Sequence, residues 1–235
     1  MNFRVISPTR GRIPILLSIP HCGTEFPDEI KDSYVPALMK APDDTDWFVD
    51  RLYSFASSLG ITIVSAVWSR WVIDLNRHPD NEPLYNDGRI ITALCPLTTF
   101  LGQPLYRDGR KKVDHSEIQR RKELYFKPYH LRLHELVLDL RHEFGSVLLW
   151  DCHSIRQIVP TIQPEKFPDL ILGSADGKSA HPALIETAMQ YLGSGGYSLQ
   201  HNRPFKEGFT TPHYGIPQQK QHVLQLEMCK INNMD

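Results

Sequence analysis

Two histidines, His21 and His153, stand at the ends of short apolar segments and have the chemistry of metal ligands. A catalytic zinc site takes three protein ligands from histidine and carboxylate and leaves a fourth position for water, whose pKa falls to roughly 7. The third ligand would be a carboxylate, and the candidates are Asp46, its neighbour Asp44, and Glu25. Their spacing forms no local motif comparable to H-E-x-x-H, so residue type and position in the chain are the only guides.

Glu227 and two arginines have the chemistry that hydrolysis of an amide requires beside such a metal. Strand alternation places Glu227 with Gln225 and Cys229 on the face opposite the leucines of that segment. A carboxylate there can take a proton during attack and return it to the leaving nitrogen; a solvated strand face is the alternative. Arg70 and Arg77 flank a predicted strand, and their guanidinium groups suit an anionic substrate or oxyanion, or else surface ion pairs.

The elements that must position these residues follow from apolar runs and helical periods. Strands are predicted at residues 13–19, 61–67, 71–75, 147–150, 170–172, 197–201 and 222–228. This order, with helices between, predicts a three-layer α/β/α fold around a mixed central sheet, in a single domain spanning residues 1–235. Ligands of such sheets bind beyond the carboxyl ends of the strands. His21, Asn76–Arg77, His153 and Glu227 all lie near predicted strand ends, which indicates one shared site.

Three helices are predicted between the strands. The first follows residues 43–46, which supply N-cap candidates, and would bury a stripe from Phe48 to Leu59 before Gly60 ends it. The second begins with a capping box at Asp114 and should kink at Pro128. The third spans residues 182–192. Residues 78–112 form a long irregular connection, which is typical of a lid or a binding loop.

Composition excludes several classes of protein. The chain has 235 residues, with 26 Lys and Arg against 27 Asp and Glu, so it lacks the basic field of a nucleic-acid binder. Its apolar runs are too short to cross a bilayer and no signal peptide precedes them, which predicts a cytoplasmic protein without a membrane partner. The expected partner is a small anionic molecule, and nothing in the sequence specifies an oligomeric state.

Competing chemistries are less well supported. The sequence has no G-x-S-x-G elbow, no Walker-type phosphate loop and no G-x-G-x-x-G segment. His130 and His134 lie one helical turn apart but lack the glutamate of a zincin motif. Cys152 is a conceivable nucleophile, although it faces away from His153 if the strand is regular. Asp151 would orient a ligand or simply end a strand.

An ordered set of segments resembles one known family. The segments are SIPHCGTE at 18–25, DTDW at 44–47, SRWVIDLNR at 69–77, PYH at 128–130, DCHS at 151–154 and LQLE at 224–227. Together they resemble N-formylglutamate amidohydrolase, also called N-formylglutamate deformylase, from about residue 13 to 229. The resemblance implies a fold similar to zinc-dependent exopeptidases and cleavage of N-formyl-L-glutamate to formate and glutamate in histidine degradation.

The resemblance also implies a metal centre. It implies Zn²⁺, or another divalent ion, held by His21, Asp46 and His153. Asp46 is preferred because it opens a helix, as a metal-bridging aspartate does in related aminopeptidases. Glu25 is its rival, since carboxypeptidase-like relatives place a glutamate shortly after the first histidine.

Further roles follow from the same resemblance. Glu227 matches the general base and Arg70 the arginine that polarises the scissile carbonyl. Asn76 and Arg77 match the pair that grips the substrate carboxylate, and Arg203 is a further substrate-binding candidate.

Two departures from the family leave other functions open. Glu207 and Pro212-His213 interrupt a loop at residues 202–215, and the chain ends at Asp235, sooner than the family does. The alternatives are a hydrolase of another N-acyl dicarboxylic amino acid and a non-catalytic relative that binds small anions.

Overall fold

A mixed β-sheet lies at the centre of the computed structural model, which describes residues 2–80, 82, 93–107 and 113–232. Across these residues it has seven strands in the order β1-β3-β2-β4-β7-β5-β6. They are β1 Phe3–Ile6, β2 Ile15–Ile19, β3 Thr62–Ala66, β4 Val147–Ile155, β5 Leu170–Gly173, β6 Leu199–His201 and β7 Gln221–Cys229. Strands β2, β3, β4 and β7 are parallel to one another, while β1, β5 and β6 run the opposite way.

Helices cover both faces of this sheet. They are α1 Asp28–Lys31, α2 Pro36–Met39, α3 Val49–Leu52, α4 His115–Arg121, α5 Lys127–Phe144, α6 Pro182–Gly193 and α7 Thr210–Tyr214. Strand β2 shows the two-sided burial: Leu16 packs in the cluster that contains α5, whereas Leu17 and Ile19 pack with α3 on the other face. Parallel strands buried on both faces have nearly continuous apolar runs, as β2 does. The predicted α/β fold with a mixed sheet is therefore confirmed.

The long helical segment begins where the sequence predicts and changes its helix type just before Pro128. The Asp114 side chain accepts a hydrogen bond from the Glu117 backbone N–H at 2.9 Å, which caps α4. Before Pro128 the segment widens into a π-helix, Lys122–Phe126. Proline has no N–H and its ring crowds the carbonyl four residues earlier. That carbonyl, on Leu124, accepts a hydrogen bond from the Asn2 side chain at 2.5 Å instead.

The predicted strand at residues 71–75 is wrong. These residues form turns, and Trp71, Val72 and Ile73 are buried without pairing in the sheet. Their apolar character reflects burial, and a short apolar run alone does not distinguish a strand from a buried turn. The structure also has an edge strand, β1, that was not predicted.

The predicted helix after residues 43–46 is only partly correct. It starts at Val49 with Phe48 as N-cap, continues as a 3₁₀-helix, Tyr53–Leu59, and ends at Gly60 with φ +89°. The tighter 3₁₀ turn changes which side chains share a face. Of the predicted stripe, Ala56 is buried, whereas Phe48, Leu52, Phe55 and Leu59 are exposed. Phe48 has φ +62° and no side chain caps the helix.

Part of the predicted lid segment, at residues 81, 83–92 and 108–112, lies outside the described residues. Of its described residues, Leu94, Cys95 and Leu105 pack in the core. Among the described helices, none is long and apolar enough to span a membrane.

His130 on α5 has a structural role in place of the metal role considered for it and His134. Its Nε2 donates to the Leu75 carbonyl at 2.8 Å, and its Nδ1 lies 3.1 Å from the Tyr214 hydroxyl. Both ring nitrogens are thus engaged within the core. Burial lowers the pKa of His130 to about 4.

This pKa predicts a loss of stability in mild acid. The unfolded chain takes up the His130 proton near pH 6.5 and the folded chain only near pH 4, so the free energy of unfolding falls as pH is lowered through that window. The contribution of this group is up to about 3 kcal/mol. Urea unfolding at a series of pH values should show a smaller loss for His130→Gln than for wild type. His142→Gln, on the exposed side of α5, should follow wild type; equal slopes for all three proteins would contradict the assignment.

Candidate metal centre

Four parallel strands bring the candidate residues to one edge of the sheet. His21 follows the carboxyl end of β2, while His153 and Glu227 lie near the carboxyl ends of β4 and β7. In the parallel register His153 is the direct neighbour of Glu227, and Asp151 is the direct neighbour of Gln225. Neighbours in register point to the same face of the sheet. The alternation predicted for β7 therefore places Glu227 beside His153.

Three side chains converge at this edge. Donor atoms of His21, Asp46 and His153 all lie within 4.8 Å of one another, and all three residues are buried. The Nδ1 atoms of the two imidazoles are 3.1 Å apart, and Asp46 Oδ2 lies 3.3 Å from that of His153 and 3.6 Å from that of His21. Two nitrogens and one carboxylate oxygen that face a common point can hold a metal ion.

Asp46 gives an independent test of whether this group fits a cation. Its backbone N–H donates to the His21 carbonyl at 2.9 Å, which fixes it beside the first histidine. Both of its carboxylate oxygens are buried and have no hydrogen-bond partner among the described residues. Buried carboxylate oxygens are rarely left so. Burial disfavours ionisation, but the two imidazoles outweigh it and lower the pKa of Asp46, so an anion faces the point where a metal would bind.

The outer nitrogens of the histidines are held by two further aspartates. His21 Nε2 lies 2.7 Å from Asp74 Oδ1, and His153 Nε2 lies 2.9 Å from Asp151 Oδ2. Carboxylates in this position orient metal-binding imidazoles and fix their tautomers. Burial opposes the charged imidazole, yet Asp151 and Asp46 raise the pKa of His153 well above its usual value. The buried group His21, Asp46 and His153 can therefore bind a metal ion with both imidazoles already oriented.

The rival carboxylates lie elsewhere. Glu25 is exposed and pairs with Arg4 at 3.7 Å. Asp44 accepts hydrogen bonds from the indole N–H of Trp71 at 2.8 Å and from the Phe100 backbone. Neither belongs to the cluster, so Asp46 is the carboxylate that the fold brings to the two histidines.

Asp74 connects the arginines to this centre. It accepts a hydrogen bond from Arg70 Nη2 at 2.6 Å, and Arg77 Nε lies 3.7 Å from the same carboxylate oxygen. Burial opposes its ionisation, but Arg70 and His21 lower the pKa of Asp74 well below its usual value. Both arginines are thus placed beside His21 through one buried anion.

Asn76 is surrounded by site residues. Its amide nitrogen lies 3.0 Å from His153 Nε2, 3.1 Å from Asp151 Oδ2 and 3.2 Å from Gln225 Oε1. Its amide oxygen accepts a hydrogen bond from the Thr210 backbone at 2.8 Å. These contacts hold Asn76 beside Asp151 and His153. Contact between Asn76 and a substrate stays a prediction.

The remaining candidates differ in their surroundings. Burial raises the pKa of Glu227, with His153 opposing and Asp46 adding to that effect. Arg203 is exposed beyond β6, and its substrate role stays a prediction. Cys152 is fully buried on the opposite face, packed in the cluster with α3, and burial raises its pKa well above the usual value. An unreactive thiol of this kind is a poor nucleophile.

Asp74 is the site residue that the sequence did not single out. It is one acidic residue within an apolar run, WVIDLN, and that contrast was the available signal. Because an apolar run of this length predicts a strand, it indicates no site role for Asp74.

The fold and this cluster define an α/β protein with a buried candidate metal site at the carboxyl edge of its sheet. The chain belongs to the N-formylglutamate amidohydrolase family, which it matches over residues 13–233. This confirms the resemblance seen in the sequence.

Two relatives are named N-formylglutamate deformylase. The protein from Pseudomonas putida is 40% identical over 233 residues, covering 99% of this chain and 86% of the relative. The protein from Pseudomonas aeruginosa is 41% identical over 232 residues, covering 98% of this chain and 86% of the relative. The chain is therefore a hydrolase that acts on an amide bond, as predicted.

Two solved structures have a fold similar to that of this chain. N-formylglutamate amidohydrolase from Ralstonia eutropha has a TM-score of 0.83 at 27% identity, covering 100% of this chain and 88% of that one. A gene product of Agrobacterium tumefaciens has a TM-score of 0.73 at 18% identity, covering 98% and 85%, and supports the fold alone.

The packing around Asn76 generates a prediction for metal affinity. A methyl group added at Gly208 would overlap the side-chain amide of Asn76 and displace it from Asp151, the carboxylate that orients His153. Loss of such support for a ligand typically weakens metal binding about 10- to 100-fold. We expect this loss for Gly208→Ala in a Zn²⁺ titration against a competing chelator. Gly11→Ala, where an added methyl group meets nothing within 4 Å, should bind Zn²⁺ as wild type does; an unaltered Gly208→Ala affinity would show that Asn76 does not support the ligand.

Proposed function

We propose that the chain hydrolyses the formyl amide of N-formyl-L-glutamate to formate and L-glutamate in a metal-dependent reaction. The observation that carries this proposal is the buried His21–Asp46–His153 group, with its unsatisfied Asp46 oxygens, beside Glu227. The names of the two Pseudomonas relatives support the substrate. The reaction would serve histidine degradation, as the family resemblance implies.

Zinc is the metal we propose for this group. Two imidazole nitrogens and one carboxylate oxygen are a ligand set typical of catalytic zinc. Such an ion supplies Lewis acidity, which polarises a carbonyl group and makes a water molecule more acidic. Asp74 and Asp151 would keep the two imidazoles turned towards it.

Glu227 would move the proton. Its carboxylate takes a proton from the attacking water and delivers it to the amide nitrogen as the carbon–nitrogen bond breaks. Because burial raises the pKa of Glu227, its carboxylate is a stronger base than that of an exposed glutamate. Its register beside His153 keeps it close to the ligand group.

The arginines would bind the negative charges of the substrate. Arg70 is buried, donates to Asp74 and lies with its guanidinium carbon 4.8 Å from the centre of the Phe100 ring. A rigid buried cation there suits the oxyanion that develops during attack. Arg77 is partly exposed and is suited to bind a substrate carboxylate from solvent.

Metal removal tests the proposal directly. Purified protein should release formate from N-formyl-L-glutamate, and dialysis against a chelator should abolish release until Zn²⁺ is added back. Asp46→Asn should lose bound metal, while Glu25→Gln should retain it, because only Asp46 lies in the ligand group. Full turnover by protein shown to be metal-free would overturn metal dependence. If the protein released acetate from N-acetylglutamate faster than formate from N-formylglutamate, the preferred acyl group would be acetyl and not formyl.

Removing the proposed base tests the role of Glu227. Glu227→Gln should lower kcat by roughly 10²- to 10⁴-fold, since general base catalysis contributes about that much, while the metal content stays at the wild-type level. Glu186→Gln, an exposed substitution on α6, is the matched control and should leave kcat unchanged. Wild-type turnover by Glu227→Gln would rule out the assigned role.

A further inference from the structure

A cavity of about 490 Å³ lies at the carboxyl edge of the sheet. Its lining combines the apolar side chains of Trp47, Ile158 and Ile231 with two cations, Arg156 and Lys230, and one carboxylate, Asp43. Small-molecule sites are concave, mostly apolar and carry a few fixed polar groups. This cavity therefore has the size and the composition of a ligand site.

The cavity and the candidate metal centre are built from the same segments. Arg156 comes three residues after His153, Lys230 comes three residues after Glu227, and Trp47 directly follows Asp46. Three residues of extended chain cover about 10 Å, so Arg156 and Lys230 begin within about that distance of His153 and Glu227 along the chain. A small substrate with its amide at the centre would extend into this cavity.

Lys230 presents its ammonium group within this region. Its Nζ donates to the Asp43 carbonyl at 3.0 Å. An ammonium group has three donors, and this is the one hydrogen bond that Lys230 makes to the described residues. Burial lowers its pKa while Asp46 and Asp43 oppose that effect, which places the amine within electrostatic reach of the metal-binding aspartate.

Arg156 is less available as a binding group. Its guanidinium pairs with the Asp43 carboxylate, and both side chains are substantially exposed. The pair closes one side of the cavity and neutralises the Asp43 carboxylate. Lys230 is therefore the cation of the lining best placed to bind an anion.

The apolar walls and the ammonium group of Lys230 suit a ligand whose methylene groups end in a carboxylate. Methylene groups would pack against Trp47, Ile158 and Ile231, and a terminal carboxylate would accept hydrogen bonds from the ammonium group. Arg77 lies on the Asp74 side of the centre and would bind a different carboxylate. The substrate class thus defined has two carboxylates separated by methylene groups.

We propose that Lys230 determines specificity by binding the side-chain carboxylate of an N-acyl dicarboxylic amino acid. This inference rests on the proposed function and assigns a residue to the second carboxylate of the same substrate. Neutral amides of equal size would fit the cavity but would lack the charge-assisted hydrogen bond.

A pair of substrates that differ only in this charge tests the inference. Wild type should prefer N-formyl-L-glutamate to N-formyl-L-glutamine. Lys230→Met should raise KM for N-formylglutamate by about 10- to 100-fold, since a hydrogen bond to a charged group contributes about 1.5–3 kcal/mol. KM for N-formylglutamine should stay unchanged. Lys178→Met, an exposed lysine, should alter neither value.

The outcomes separate this inference from the proposed function. If wild type releases no formate from either substrate, the proposed function fails. If wild type releases formate but does not discriminate between the two substrates, or if Lys230→Met changes both KM values equally, the assignment of Lys230 is wrong. Lys230→Arg retains the cation and should retain the preference; loss of the preference in a folded Lys230→Arg protein would also contradict the inference.

Discussion

Balance of buried charge is the constraint on which the site depends. Asp46, Asp74 and Asp151 are almost fully buried next to two histidines. An ionised carboxylate is costly to bury unless a counter-charge and hydrogen bonds compensate for it. Asp74 has Arg70, and Asp151 has His153. Asp46 faces the two imidazoles, and its oxygens accept no hydrogen bond from the described residues, so a bound cation would complete the balance.

The parallel sheet brings these charged residues together at one edge. Because β2, β4 and β7 end at one edge, residues far apart in sequence meet there without needing long loops to place them. This is why the sequence predicted so much of the site: imidazoles and a carboxylate at strand ends point to one location in any sheet of this kind. The sequence predicts in this way that His21, His153 and Glu227 share one edge, and the alternation within β7 predicts the face on which Glu227 lies beside His153.

The residues that sequence failed to predict depend on contacts between segments. Trp71, Val72 and Ile73 have the composition of a strand, and only their packing shows that they form a buried turn which presents Asp74 to His21. Asn76 matched a substrate-binding motif, yet its amide is engaged by Asp151 and Gln225. Local propensity carries no information about such partners, since they come from strands that are distant in the chain.

Phe48 shows how the backbone bears part of the cost of this arrangement. Its left-handed conformation, two residues after Asp46, costs a residue with a Cβ atom roughly 1–2 kcal/mol, and its ring, 41% exposed, offsets only part of that cost by burial. Glycine would adopt the same angles without penalty but would give the segment more conformations to sample. Replacing Phe48 with glycine would therefore relieve backbone strain but make the segment that carries Asp46 less rigid. A protein stabilised against heat in this way would bind its ligand less tightly.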